Sequence, residues 1–208
     1  PGYCGMVKRL DEALGRLLDA LRSLGQLDNT IILFTCDHGN HFKTRNGEYK
    51  RSCHDASLRV PTAFSGPGFN GGGNLRQLVS LVDLPPTLLD AARVKPAANH
   101  EIHGQSLLPL LRGEPFTRTR ALHWENQQNY AVLGGDWKLV KLAWEPQARL
   151  YRPADDIGED HNLAVQNPAK VNELTALHAA WRQRYYPNPV PPVAKRTTGN
   201  FPITAQDP

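Results

Sequence analysis

From Val7 to Leu24 the apolar residues Val7, Leu10, Leu14, Leu17, Leu18, Leu21 and Leu24 recur mostly at spacings of three and four, which predicts an amphipathic helix. Gly25 ends it, and Gln26-Leu27-Asp28-Asn29 forms a turn. The pattern then becomes continuous. Thr30 to Cys36 is almost wholly apolar or β-branched, the mark of a strand buried on both faces, as in a parallel sheet. Helix, short loop and apolar strand make half of an α/β repeat. Residues 39–53 hold few apolar groups and read as a long loop, a length uncommon without a function. A short helical turn at His54–Leu58 and a strand at Val60–Ser65 follow, and the five glycines between Gly66 and Gly73 mark a turn. Leu78–Val82 reads as another strand. Asp83 is placed to cap a helix with Pro85 and Pro86 in its first turn, and Ser106–Leu111 reads as helical, closed by Gly113.

Beyond residue 115 the periodicity shortens. Ala121–Trp124, Tyr130–Leu133, Trp137–Leu142 and Arg149–Tyr151 are strand-like, with Gly134-Gly135-Asp136 as a hairpin turn, and together they predict a small antiparallel sheet. Helical spacing returns from Ala169 to Tyr185 through Val171, Leu174, Leu177 and Trp181. From Pro187 the chain is rich in Pro and Thr and reads as extended. The expected organisation is a mainly parallel α/β core over 1–114, an antiparallel subdomain with one helix over 115–186, and a tail over 187–208.

A chain of 208 residues can bury a sizeable core, and its net charge of +4 is modest. Its basic residues are scattered apart from Lys43, Arg45, Lys50 and Arg51. That group suits local anion attraction, or a solvated face, rather than a nucleic-acid surface. Three cysteines, Cys4, Cys36 and Cys53, do not make a disulfide framework and leave the compartment open. No stretch of 18 apolar residues offers a membrane span. The chain opens on Pro1-Gly2-Tyr3 rather than Met and reads as a fragment. A signal peptide on the full protein would make it periplasmic or secreted.

The chemistry gathers behind the first strand. Asp37 and His38 stand at its carboxyl end, where α/β sheets present ligands, and a carboxylate and a neutral imidazole both bind divalent cations. Two ligands are too few for a site, and Asp-His pairs also serve as caps and turns. Lys50, thirteen positions on, carries a compact ammonium suited to a tetraoxyanion. His54 can donate a proton to a leaving oxygen, or cap the short helix behind it. Cys36 suits a space-filling role beside the ligands. Gly-x-Ser-x-Gly and Cys-x-x-Cys are absent.

Taken in order, these residues resemble the C-terminal half of a sulfatase of the alkaline phosphatase superfamily. The resemblance is carried by Leu10-Asp11 to Leu21 ahead of Asp28-Asn29-Thr30, by Thr35-Cys36-Asp37-His38-Gly39, by Tyr49-Lys50-Arg51 and by His54-Asp55-Ala56-Ser57-Leu58-Arg59-Val60-Pro61. Ser65-Gly66-Pro67-Gly68, the segment Val82 to Asp90, Gly104 to Gly113, Trp137-Lys138-Leu139-Val140, Leu150-Tyr151 and Asp155 to Leu163 continue it. It implies an alkaline-phosphatase-like α/β sandwich. It also implies that Asp37 and His38 complete the site of one divalent cation, usually calcium, with magnesium or manganese as alternatives. Lys50 would hold a sulfate oxygen, and His54 would touch the sulfated substrate or its leaving oxygen.

One departure stands out. Sulfatases of this kind use a formylglycine made within Cys/Ser-x-Pro/Ala-x-Arg, and none of the cysteines or serines here begins that motif. The nucleophile is expected in the N-terminal half, so the chain alone is expected to be inactive. A sulfated sugar and an aryl sulfate both fit as substrates. His123, Trp124, Glu125, Asn126 and Gln127 either line a pocket or pack the small sheet, with packing the favoured reading because strand aromatics usually pack. Two rivals stay open. One is a phosphoryl-transfer enzyme of the same superfamily, since Asp37-His38-Gly39-Asn40 also resembles a metal motif of cofactor-independent phosphoglycerate mutases. The other is a non-catalytic binding module. An isolated half is expected to self-associate through surface left uncovered.

Overall fold

The structure is a computed structural model that describes residues 2–42, 50 and 52–188. The chain divides into two compact units, residues 1–37 with 60–118, and residues 38–59 with 119–208.

The first unit opens with helix α1, Gly2–Ser23, ended by Gly25 at φ +64° as the glycine in the sequence predicts. Among the described residues α1 has no buried position, and Tyr3, Met6, Val7, Leu10 and Leu17 of its apolar face are exposed. Strand β1, Ile32–Phe34, pairs with β2, Ala63–Ser65, and Thr35 and Thr62 join their hydroxyls at 2.9 Å beyond the pair. The pair is antiparallel, with Leu33 opposite Phe64, where the apolar run had predicted a parallel neighbour. Such a run reports burial, not direction, and here even the burial is incomplete, since Phe34 remains 36% exposed.

The strand expected at Leu78–Val82 is absent; Leu81–Asp83 forms a 3-10 turn instead. A local side-chain contact wins over the apolar pattern: the Ser80 N–H donates to Asp83 Oδ2 at 2.7 Å in a capping box. Asp83 is fully buried and also accepts the Gln105 N–H at 2.9 Å and the Arg118 guanidinium. Its carboxylate therefore ties three segments together rather than capping α3, Leu84–Ala91, directly. Thr87 of α3 donates its hydroxyl to the Asp83 carbonyl and accepts the Leu107 N–H at 2.9 Å, which docks the approach to α4, Leu108–Leu111.

The second unit is a four-stranded antiparallel meander with one long helix. Strands β3 (Leu122–Asn126), β4 (Asn129–Gly134), β5 (Trp137–Lys141) and β6 (Arg149–Tyr151) lie in chain order, and Gly135 supplies φ +56° at the β4–β5 turn. Alternation along each strand feeds two cores. Val132, Leu139 and Leu150 face one way and pack with Leu174 and Val171 of helix α5, Pro168–Tyr185. Ala131, Val140 and Tyr151 face the other way and pack with Leu142, Cys53 and Trp124. The sheet is therefore covered on both faces, by α5 and by the 52–59 segment. That segment joins this unit although it precedes the sheet by sixty residues of chain. Among the described residues no helix is long and apolar enough to cross a membrane.

Candidate functional site

The Asp37-His38-Gly39 turn follows β1 after Thr35 and Cys36. Asp37 is exposed, and the Cys36 thiol donates to its Oδ1 at 3.4 Å. Cys36 is itself exposed, so it does not fill space as its sequence position had suggested. His38 is half-buried, with Nδ1 2.8 Å from the Gly39 carbonyl. A carbonyl only accepts, so Nδ1 carries the proton and the lone pair lies on Nε2, the tautomer of a metal-ligating imidazole.

Gly39 fixes this turn by close approach. Its N–H donates to the Ser57 carbonyl at 2.8 Å, and a Cβ there would lie 2.1 Å from the Ala56 carbonyl oxygen and 2.8 Å from that of Arg59. Any side chain would collide with backbone, so Gly39 is a docking residue. It meets α2, Asp55–Leu58, the short helix predicted at 54–58.

His54 occupies the N-cap position of α2 but does not cap it with its ring. The ring is 1% exposed. Ser52 Oγ accepts the His54 N–H at 3.0 Å and lies 3.0 Å from its Nδ1, and His41 approaches edge-on with ring centres 5.9 Å apart. Lys50 is exposed. Lys43, Arg45 and Arg51 lie outside the described residues. Among the described residues no group of three or more His, Cys, Asp or Glu forms a metal cluster.

Beneath α2 is a buried ion network that the chemistry-seeking sequence reading passed over. Lys138, 1% exposed, reaches the Asp55 Oδ1 at 2.6 Å and the Glu159 Oε1. Glu159 accepts the Asp55 N–H at 3.0 Å through its second oxygen, and Arg59 binds Asp55 Oδ2 at 2.6 Å. Two cations meet two carboxylates, so each buried charge is paired. Burial would raise the Asp55 pKa, but Lys138 and Arg59 together hold it below its ordinary value. The available signal was the strand register: Lys138 shares a face with Val140, a buried position facing Cys53.

Within 123–127, His123, Trp124 and Glu125 engage neighbouring side chains, and Gln127 is exposed. His123 stacks on Trp181 at 4.8 Å between ring centres, His178 on Tyr130 at 3.9 Å, and Glu125 accepts from Arg182 at 3.0 Å and lies 3.3 Å from His178 Nε2. Trp124 packs into the opposite core, and Gln127 takes φ +61° in the β3–β4 turn. Burial lowers the His123 pKa to about 4, with the neighbouring His178 adding to the effect.

An α/β unit together with an antiparallel one is the organisation of the alkaline-phosphatase-like fold. Residues 1–94 match the sulfatase family model. Arylsulfatase K of Gallus gallus is 40% identical over 192 residues, covering 84% of this chain and 35% of that protein. Among solved structures, a protein in complex with its substrate D-glucosamine-2-N,6-O-disulfate superposes with a TM-score of 0.71 at 27% identity, over 88% of this chain and 40% of that one. The phosphonate monoester hydrolase of Agrobacterium radiobacter superposes with a TM-score of 0.69 at 27% identity, over 86% and 40%. Residues 1–94 are sulfatase-family sequence, and the chain as a whole is similar to sulfatases. It spans about a third of the length of the curated relatives it matches, in keeping with correspondence to one part of a sulfatase.

Proposed function

We propose that this chain is the part of a sulfuric ester hydrolase that supplies the closing ligands of a divalent-cation site and a sulfate-binding lysine. The observation that supports the reading is the 2.8 Å contact of His38 Nδ1 with the Gly39 carbonyl, in a turn whose Gly39 N–H is bonded to α2. The donor set fits a cation in kind. The exposed Asp37 carboxylate suits calcium, magnesium or manganese, and the imidazole Nε2 is a less usual partner for calcium. Family resemblance selects calcium. When bound, the cation would withdraw charge from the ester oxygens it meets.

The chain's own residues do the rest. Lys50, exposed at the end of the polar loop, is assigned to a sulfate oxygen, where an ammonium offsets negative charge that grows during attack on sulfur. His54 is assigned to the leaving oxygen. Ser52 Oγ lies 3.0 Å from its Nδ1; a hydroxyl donating there would leave Nε2 as the nitrogen that carries and passes on a proton. The nucleophile is supplied from outside these 208 residues, because the formylglycine motif is not among them. The substrate class is a sulfated sugar or a sulfated small molecule, and the chain alone is inactive.

A second reading, hydrolysis of a phosphorus ester, is favoured by the phosphonate monoester hydrolase neighbour. One comparison separates the two: turnover of an aryl sulfate and its phosphonate analogue by the longest polypeptide encoded with this segment. Metal-dependent hydrolysis of the sulfate that falls at least a hundredfold in Lys50→Met is expected, since losing one charge-stabilising donor costs about that much. Preference for the phosphonate, or an unaffected Lys50→Met, overturns the sulfatase reading.

A further inference from the structure

We propose that Lys138 and Glu159 are positioning residues that hold the His38 imidazole in its ligating pose through α2, an inference that rests on the cation-site reading above. The connection runs through one unit of the fold. Lys138 Nζ joins the carboxylates of Asp55 and Glu159, the other Glu159 oxygen takes the Asp55 N–H, and Asp55 is the first residue of α2. Two residues later, the Ser57 carbonyl accepts the Gly39 N–H, and the Ala56 carbonyl leaves no room for a Cβ on Gly39. The Gly39 carbonyl in turn takes the His38 Nδ1 proton. Charge fixed on the sheet is thus converted into the tautomer and orientation of a residue about a hundred positions earlier in the chain.

Two features argue that this network does more than fill space. The first is cost: a lysine and a glutamate, 1% and 3% exposed, stand where a strand and a turn would pack as well with apolar groups. The second is backbone strain. Glu159 sits at φ +55°, a left-handed conformation that a non-glycine residue adopts at an energetic penalty. The turn around it is held by Asp156, whose carboxylate accepts the N–H groups of Asp160 at 3.0 Å and His161 at 2.9 Å. The strained residue is the one whose two oxygens reach Lys138 and the start of α2.

The test uses the 208-residue chain and two nuclear magnetic resonance readouts. Amide exchange is followed at Gly39 and, as an internal reference, at Val132 and Leu139 of the sheet. Manganese is titrated while paramagnetic broadening of the His38 ring signals is recorded. In Lys138→Met, Gly39 exchange is expected to rise at least tenfold relative to the sheet amides, and the manganese midpoint to rise about tenfold, the usual cost of losing an outer-shell support. Glu159→Gln keeps the side chain's shape and should move both readouts the same way by a smaller factor; it decides the matter if Lys138→Met does not fold. Leu150→Ala, which weakens the core without touching the network, should leave both the relative Gly39 exchange and the midpoint unchanged. Unchanged Gly39 exchange and midpoint in a folded network variant overturn the proposal, as does a Leu150→Ala response equal to theirs. If manganese fails to broaden His38 in the unmodified chain, the cation reading falls, and Gly39 exchange still decides the positioning.

Discussion

The two units of this chain differ in how they bury their apolar residues. In the antiparallel unit, consecutive residues such as Ala131 and Val132, or Leu139 and Val140, are all fully buried, because the sheet has a cover on each face. In the first unit, helix α1 carries a leucine stripe of the same quality, and Leu10 and Leu17 remain 57% and 65% exposed. Amphipathic pattern is therefore a statement of what an element needs, and only a second layer satisfies it. One unit here contains its second layer. The other shows the apolar face of α1 and the partly exposed Phe34 without one among the described residues.

The sharpest break of this comparison is a pair of matched truncations. Leu139→Ala, in the two-sided core, should cost about 2–5 kcal/mol of unfolding free energy. Leu10→Ser, on the exposed stripe, should change stability by no more than about 0.5 kcal/mol, since it removes no buried contact. Urea denaturation checks both, and equal losses would show that α1 is packed after all. Light scattering on the same proteins extends the contrast: the unmodified chain should associate as its concentration rises, and a Leu10→Glu, Leu17→Glu variant should associate less.

Next in size is Gly39→Ala. A methyl group placed 2.1 Å from the Ala56 carbonyl must displace either the turn or α2, at about 1–3 kcal/mol by the usual cost of overpacking. Stability identical to the unmodified chain would mean that the Asp37-His38-Gly39 turn is not docked on α2.

The smallest effect is a pH dependence confined to the interface between α5 and the sheet. In the folded chain His123 has its pKa lowered to about 4 by burial first and by His178 second, and His178 is lowered by burial against the opposing pull of Glu125. The unfolded imidazoles, at 6.5, take up protons first. Their contribution to stability is therefore complete above pH 6.5 and declines as pH falls toward 4. Trp181 fluorescence during denaturation at stepped pH follows this directly, because Trp181 stacks on His123. His123→Phe should flatten the decline, and a stability that rises on acidification through this range would reverse the assignment.

The contrast between the units also explains what could be read from the chain. Strands β3 to β6 were legible as short apolar runs set between turn residues, with Gly135 at one turn, and helix α5 by apolar residues that recur at three and four. The direction of β1 was not, since a continuous apolar run carries no information about its neighbour. The 3-10 turn at Leu81–Asp83 was hidden by its apolar residues, because the deciding contact is one carboxylate, Asp83, bonded to the Ser80 N–H. Around the candidate site, the residue types of Asp37 and His38 were visible at the end of their strand. Their support was not: Lys138 and Glu159 lie about a hundred residues away, and only the folded register brings them under α2.

The central claim is that Asp37, His38 and Lys50 serve one reaction centre. A crystal structure of the longest polypeptide encoded with this segment, grown with calcium and sulfate, tests it most directly. The account predicts the Asp37 carboxylate and His38 Nε2 on the cation, with Lys50 Nζ within hydrogen-bond distance of the sulfate. A cation bound elsewhere, or Lys50 directed into bulk water away from the sulfate, would contradict it.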